Sequence, residues 1–156
     1  MEKLKTVPLQ SLVYVDECGI DQYLYREFAY SPRGQKVMAK ISDKKFKRTN
    51  IVAGICQNGW VAPMEYSGTT DSGLFEFWFE NCLLKEINPG SVIVLDNATF
   101  HEKSVVPNLA KKYGCHLPPY SPDLNPIEKK WAWLKKKLRG ILTGSDSFEQ
   151  ALSSCF

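Results

Sequence analysis

Residues 92–95 read V-I-V-L and stop abruptly on Asp96 and Asn97. Four apolar residues in a row, with no polar alternation, suit a strand buried on both faces, and such strands belong to sheets covered by helices. The run therefore predicts an α/β domain in which a strand delivers a carboxylate to the end of a sheet. Further on, Asn125 suits a helix N-cap, Pro126 the first helical position, and Glu128 the third, where it can answer the cap. Ile127, Trp131, Leu134 and Leu138 then recur at helical spacing, with lysines between them. Glu128 falls beside this apolar stripe, at the seam between core and solvent.

The rest of the chain repeats these signals. Residues 12–15 are a short apolar strand ending on Asp16 and Glu17, with Gly19 close behind. Residues 23–30 suit an aromatic-rich strand closed by the turn Ser31-Pro32-Arg33-Gly34, with another strand after it. Residues 51–56 and 60–66 pair across Asn58-Gly59 as a hairpin. Thr70 or Asp71 caps a helix running to about Ile87, ended by Asn88-Pro89-Gly90, and a further helix covers about 103–113.

At 156 residues with 44% hydrophobic content, the chain has the size and core of one globular domain, with residues 1–10 as a lead-in and residues 11–156 as its body. Its net charge of +3 conceals segregation. Residues 33–48 hold seven Lys/Arg against one acid, and residues 129–139 hold six against none. Local rather than average charge is what phosphate contacts require, so both stretches suit a polyanion; a solvated lysine face is the plainer account of Lys135, Lys136 and Lys137. The five cysteines are scattered, odd in number and without C-x-x-C spacing, which argues against a zinc site or a disulfide framework. With no signal peptide and no apolar run of spanning length, a cytoplasmic, non-membrane protein is expected.

Four segments together carry a resemblance: V-Y-V-D-E-C-G at 13–19, S-P-R-G-Q at 31–35, L-D-N-A-T-F-H at 95–101, and P-P-Y-S-P-D-L-N-P-I-E-K-K-W at 118–131. In that order they resemble the catalytic domain of mariner-type DDE transposases, in particular the bacterial insertion-sequence branch. The resemblance implies a ribonuclease-H-like mixed sheet flanked by helices, with the first and fourth strands as neighbours. It implies that Asp16, Asp96 and Glu128 are the catalytic acids and the ligands of two Mg²⁺ or Mn²⁺ ions. Hard divalent ions of this kind take carboxylate oxygens and suit in-line phosphoryl transfer. Asn97 and His101 would orient a ligand or touch the phosphate. The expected DNA contacts are Arg33, Lys36, Lys44, Lys45, Lys47, Arg48, Lys129, Lys130, Lys135, Lys136, Lys137 and Arg139. DNA ends and target DNA are the implied partners, with two copies of the chain acting as a homodimer.

Each acid also has a plainer account: Asp16 as a turn residue before Gly19, Asp96 as a strand end, Glu128 as half of a capping box. Glu17 is the rival carboxylate to Asp16, and the family motif favours the first acid. Trp131 and Trp133 read most simply as core and interface aromatics, with base stacking the weaker reading.

Two departures from the family stand out. Asp16 lies so near Met1 that the family's helix-turn-helix module is not expected ahead of it here, and the interval between Asp96 and Glu128 is 31 residues (128 − 96 − 1), about three shorter than in relatives. Three residues of extended chain span roughly 10 Å, enough to remove most of a short strand near 114–118. Three functions follow: a transposase catalytic domain, an inactive remnant that only binds DNA, or another ribonuclease-H-like nuclease. Metal-dependent cutting separates the second from the others, and strand transfer separates the first from the third.

Overall fold

The computed structural model describes residues 7–21, 32–35, 48–95, 105–118, 126–142 and 147–156. The expected strand at 23–30 and its successor, the acid Asp96 with Asn97 and His101, the bases Lys36, Lys44, Lys45 and Lys47, and the cap Asn125 all lie outside them. A short 3₁₀ turn, Leu9–Ser11, leads into β1 (Leu12–Asp21), followed by β2 (Arg48–Cys56) and β3 (Gly59–Tyr66). Helix α1 (Ser72–Trp78) passes through a π-helical turn (Phe79–Leu83) into α2 (Leu84–Glu86). After β4 (Val92–Leu95) come α3 (Val105–Lys112), α4 (Ile127–Leu142) and α5 (Phe148–Ser153).

The described strands form one sheet in the order β3-β2-β1-β4. β1 and β2, and β2 and β3, are antiparallel, whereas β1 and β4 run parallel, with Val15 level with Leu95. The neighbouring first and fourth strands implied by the resemblance are thus present. The first strand is longer than its sequence suggests, because Asp16 pairs with Ala53 and the ladder continues to Asp21 against Arg48. Asp16 is therefore a mid-strand residue and not part of a turn. The polar residues after Val15 conceal the continuation, since they remove the apolar run by which a strand is recognised.

Helices cover both faces of the sheet. Val13, Val15, Val52, Ile93 and Leu95 pack with Phe75, Trp78, Phe79 and Leu83 from the first helical layer and with Val106 and Ala110 of α3. On the other face Cys18, Ile20, Ile51, Ala53 and Ile55 meet Ile127, Trp131, Leu134 and Leu138 of α4, with Ala151 and Leu152 of α5. The α4 stripe is the one expected from its spacing, and burying each large apolar side chain contributes roughly 1.5–3 kcal/mol.

Local chemistry explains the element ends. Asp71 caps α1, its side chain accepting from the Leu74 N–H at 2.7 Å. Gly90, at φ +89°, closes the turn before β4, a conformation that favours glycine. The hairpin falls one residue earlier than Asn58-Gly59, since Gly59 already pairs with Cys56. Helix α5 is the element that the sequence reading passed over, although Ser147 and Gln150 carry its signal: the Ser147 hydroxyl accepts from the Gln150 N–H at 3.1 Å.

A β-bulge interrupts the β2–β3 ladder. Ala62 and Pro63 lie opposite Ala53, between the pairs Val52–Met64 and Gly54–Val61. Ala62 adopts φ +49°, and helical side chains take up its backbone groups: its carbonyl accepts from Trp78 Nε1 at 2.7 Å and its N–H donates to Glu86 Oε2 at 2.8 Å. Among the described residues beyond β4, an isolated parallel bridge joins Val92 and His116.

Candidate active site

Strand parity sorts the two acids of β1. Val13 and Val15 face the α1 layer, whereas Cys18 and Ile20 face α4, so successive residues alternate between the two. Asp16 falls on the α4 face and Glu17 on the other. The hydrogen bonds agree: Trp131 Nε1 of α4 donates to Asp16 Oδ2 at 3.0 Å, while Glu17 Oε2 accepts from Thr70 Oγ1 at 2.6 Å. The Thr70 hydroxyl is itself paired with the Tyr66 hydroxyl, and Glu17 Oε1 is buried with no hydrogen-bond partner. Glu17 is thus committed to a network beneath the start of α1, and Asp16 shares a face with Glu128.

Trp131 touches both the Asp16 carboxylate and the cleft that Glu128 lines. Its indole is buried at 5% exposure, leans on Trp60 with ring centroids 4.6 Å apart, and spends its one donor on Asp16. Glu128 sits one helical turn before it in the first turn of α4, where the positive end of the helix favours a carboxylate. Glu128, Trp131, Ala132, Lys135, Lys136 and Arg139 line one cleft of about 610 Å³ with Cys18 at its floor. Burial pushes the Cys18 thiol up from its ordinary value, against the opposing pull of Lys135. At neutral pH it remains a thiol, which leaves the carboxylates as the donors suited to a hard cation.

Among the described residues no three His, Cys, Asp or Glu side chains form a group able to hold a metal ion. Asp96, the third expected ligand, follows Leu95 in sequence and lies outside those residues. The donor set that is present fits a hard divalent ion in kind: one carboxylate oriented by an indole N–H and a second on the same face of the sheet.

The basic residues divide. α4 carries Lys135, Lys136 and Arg139 toward the Glu128 cleft, and Lys129, Lys130 and Lys137 toward a separate groove on its opposite flank. The basic stretch at 129–139 is thus divided between two surfaces, separated by the buried stripe. Arg33 is exposed in a turn closed by the bond from Gln35 N to Pro32 O, at 3.0 Å. Arg48 lies over the Gly19 backbone so closely that a Cβ there would stand 2.0 Å from its Nη2. It borders a further cleft with Glu17, Asn50, Tyr66 and Thr70. Sequence reasoning missed Trp131 as the partner of Asp16; no local signal links residues 115 positions apart.

A mixed sheet in the order β3-β2-β1-β4 with helices on both faces matches the ribonuclease-H-like fold. The family described as DDE superfamily endonuclease matches residues 11–149, and the chain belongs to it. No curated protein sequence matches the chain. Among solved structures, the Mos1 strand transfer complex superposes with a TM-score of 0.68 at 19% identity, covering 99% of this chain and 53% of that one. The Mos1 mariner paired end complex with Mn gives 0.64 at 19% identity, covering 99% and 58%. The catalytic core domain of BIV integrase gives 0.54 at 15% identity, covering 94% and 80%. The chain thus spans little more than half the length of the Mos1 chains it resembles.

Proposed function

We propose that this chain is the catalytic domain of a DNA transposase of the mariner type, from the insertion-sequence branch, cutting and rejoining DNA by in-line phosphoryl transfer. The observation that carries this is Asp16, held by Trp131 on the same face as Glu128 within a DDE-family fold. Asp16, Asp96 and Glu128 would hold two Mg²⁺ or Mn²⁺ ions, which when bound supply the charge that activates the attacking oxygen and steadies the leaving one. The presence of Mn in a Mos1 complex supports the use of divalent metal. The role of this chain's own residues is positional. Trp131 fixes the Asp16 carboxylate, the first turn of α4 presents Glu128, and Lys135, Lys136 and Arg139 neutralise phosphates beside it. Asn97 and His101 would orient a ligand or touch the phosphate, as the family motif implies. DNA ends and target DNA are the substrates, two copies act together, and recognition of the ends falls to a module outside this domain. Five free cysteines and the absence, among the described residues, of any helix able to cross a membrane support a cytoplasmic setting.

A second reading is that an interval shorter than in relatives leaves a domain that binds DNA without cutting it; the isolated Val92–His116 bridge supports it. Mn²⁺-dependent nicking and strand transfer on a labelled DNA end bearing a 3′-hydroxyl decides between them. Transfer products in the wild type that vanish in Asp96→Asn are expected. A folded protein that binds the end and never cuts would replace the first reading with the second.

A further inference from the structure

The groove on the far flank of α4 differs in chemistry from the Glu128 cleft. Trp133 stands 53% exposed and Phe156 37% exposed, and Trp60 packs edge-on against Phe156 at 5.4 Å between ring centroids. Lys129, Lys130 and Lys137 border these rings in a groove of about 560 Å³, and among the described residues no acidic side chain lines it. Lys137 is already placed, with Nζ 5.3 Å from the centre of the Trp133 ring and donating to the Ser154 carbonyl at 3.0 Å. The indole is thus a half-exposed platform steadied by its neighbour.

From this we infer that the groove is a second nucleic-acid subsite, taking a single strand whose unpaired base stacks on Trp133 while Lys129 and Lys130 meet the flanking phosphates. The inference rests on the nucleic-acid reading of the domain. The chemistry selects this occupant. Three aromatic rings, Trp60, Trp133 and Phe156, line the groove beside Ile55 and Pro126, which suits planar bases, and among the described residues the charged side chains that line it are all lysines. Trp131, two residues away, has no such role, because its ring is buried and its N–H is engaged by Asp16.

The test is anisotropy of a fluorescein-labelled oligothymidine with the whole chain in EDTA, where cutting cannot contribute. Trp133→Ala should weaken binding about 5- to 150-fold, the loss of one stacked base, and Trp133→Phe should keep most of the affinity. Lys129→Gln with Lys130→Gln should flatten the salt dependence of binding. Trp133 is half exposed, so its variants keep the fold, as circular dichroism will verify. Equal affinity in Trp133→Ala and wild type overturns the inference. So does a wild type that ignores the strand while its copies associate in light scattering through Trp133, an outcome that makes the groove a protein interface. Asp16→Asn separates this from the transposase reading: it should lose cutting and keep strand binding. Trp133-dependent binding in a chain that never cuts would leave the subsite standing and the enzyme reading not.

Discussion

Asp16 and Glu17 are chemically alike and adjacent, and their difference is one of parity. The sequence supplies both acids, but it does not say which face of β1 the α4 helix covers, so spacing alone leaves them rivals. The bond from Trp131 resolves them. Removing that donor while keeping an aromatic filler, Trp131→Phe, should leave the protein folded and lower Mn²⁺-dependent nicking about 10- to 100-fold, because partners that orient a metal-binding carboxylate matter on that scale. The deficit should shrink as Mn²⁺ is raised. In the same assay Glu17→Gln should cut nearly as well as wild type and Asp16→Asn should not. Loss of activity in Glu17→Gln equal to that in Asp16→Asn would show that the face assignment is wrong.

Helix α4 shows how much of an element is legible. Its apolar stripe and the place of Glu128 in its first turn follow from spacing and composition. The partition of its lysines between two grooves does not, because it depends on what packs against each flank. The first helix is harder. Its cap and apolar positions are readable, yet the π-helical turn at Phe79–Leu83 leaves no local mark in the sequence. Nor does the bond that Glu86 makes to the bulged Ala62 N–H. Glu86→Ala should strip that buried donor of its partner and cost about 1–2 kcal/mol, read as a fall in Tm of roughly 3–6 °C by calorimetry. An unchanged Tm would show that water replaces the carboxylate there.

At the scale of the whole molecule, the strand order came from family resemblance and not from hydrophobic pattern, because β1 and β4 pair across about eighty residues of intervening chain. Whether this assembled sheet holds metal can be read from its global stability. Ligand bound only by the folded state raises Tm, by about 2.7 kcal/mol of stability at a hundredfold excess over its dissociation constant. Mn²⁺ should therefore raise the Tm of the wild type, raise that of Asp16→Asn and Asp96→Asn much less, and raise that of Glu17→Gln as in the wild type. Equal shifts in all four would place the ion elsewhere. The bulge at Ala62 also bears on the molecule as a whole. Sliding β3 by two residues is the smallest slip that preserves its inside and outside faces, and a plain hairpin resists it weakly. Here such a slip would carry Ala62 away from both Trp78 and Glu86 and strand a buried indole donor. The helix that follows the hairpin thus serves as a gauge against mispairing, checking the alignment of strands it does not belong to.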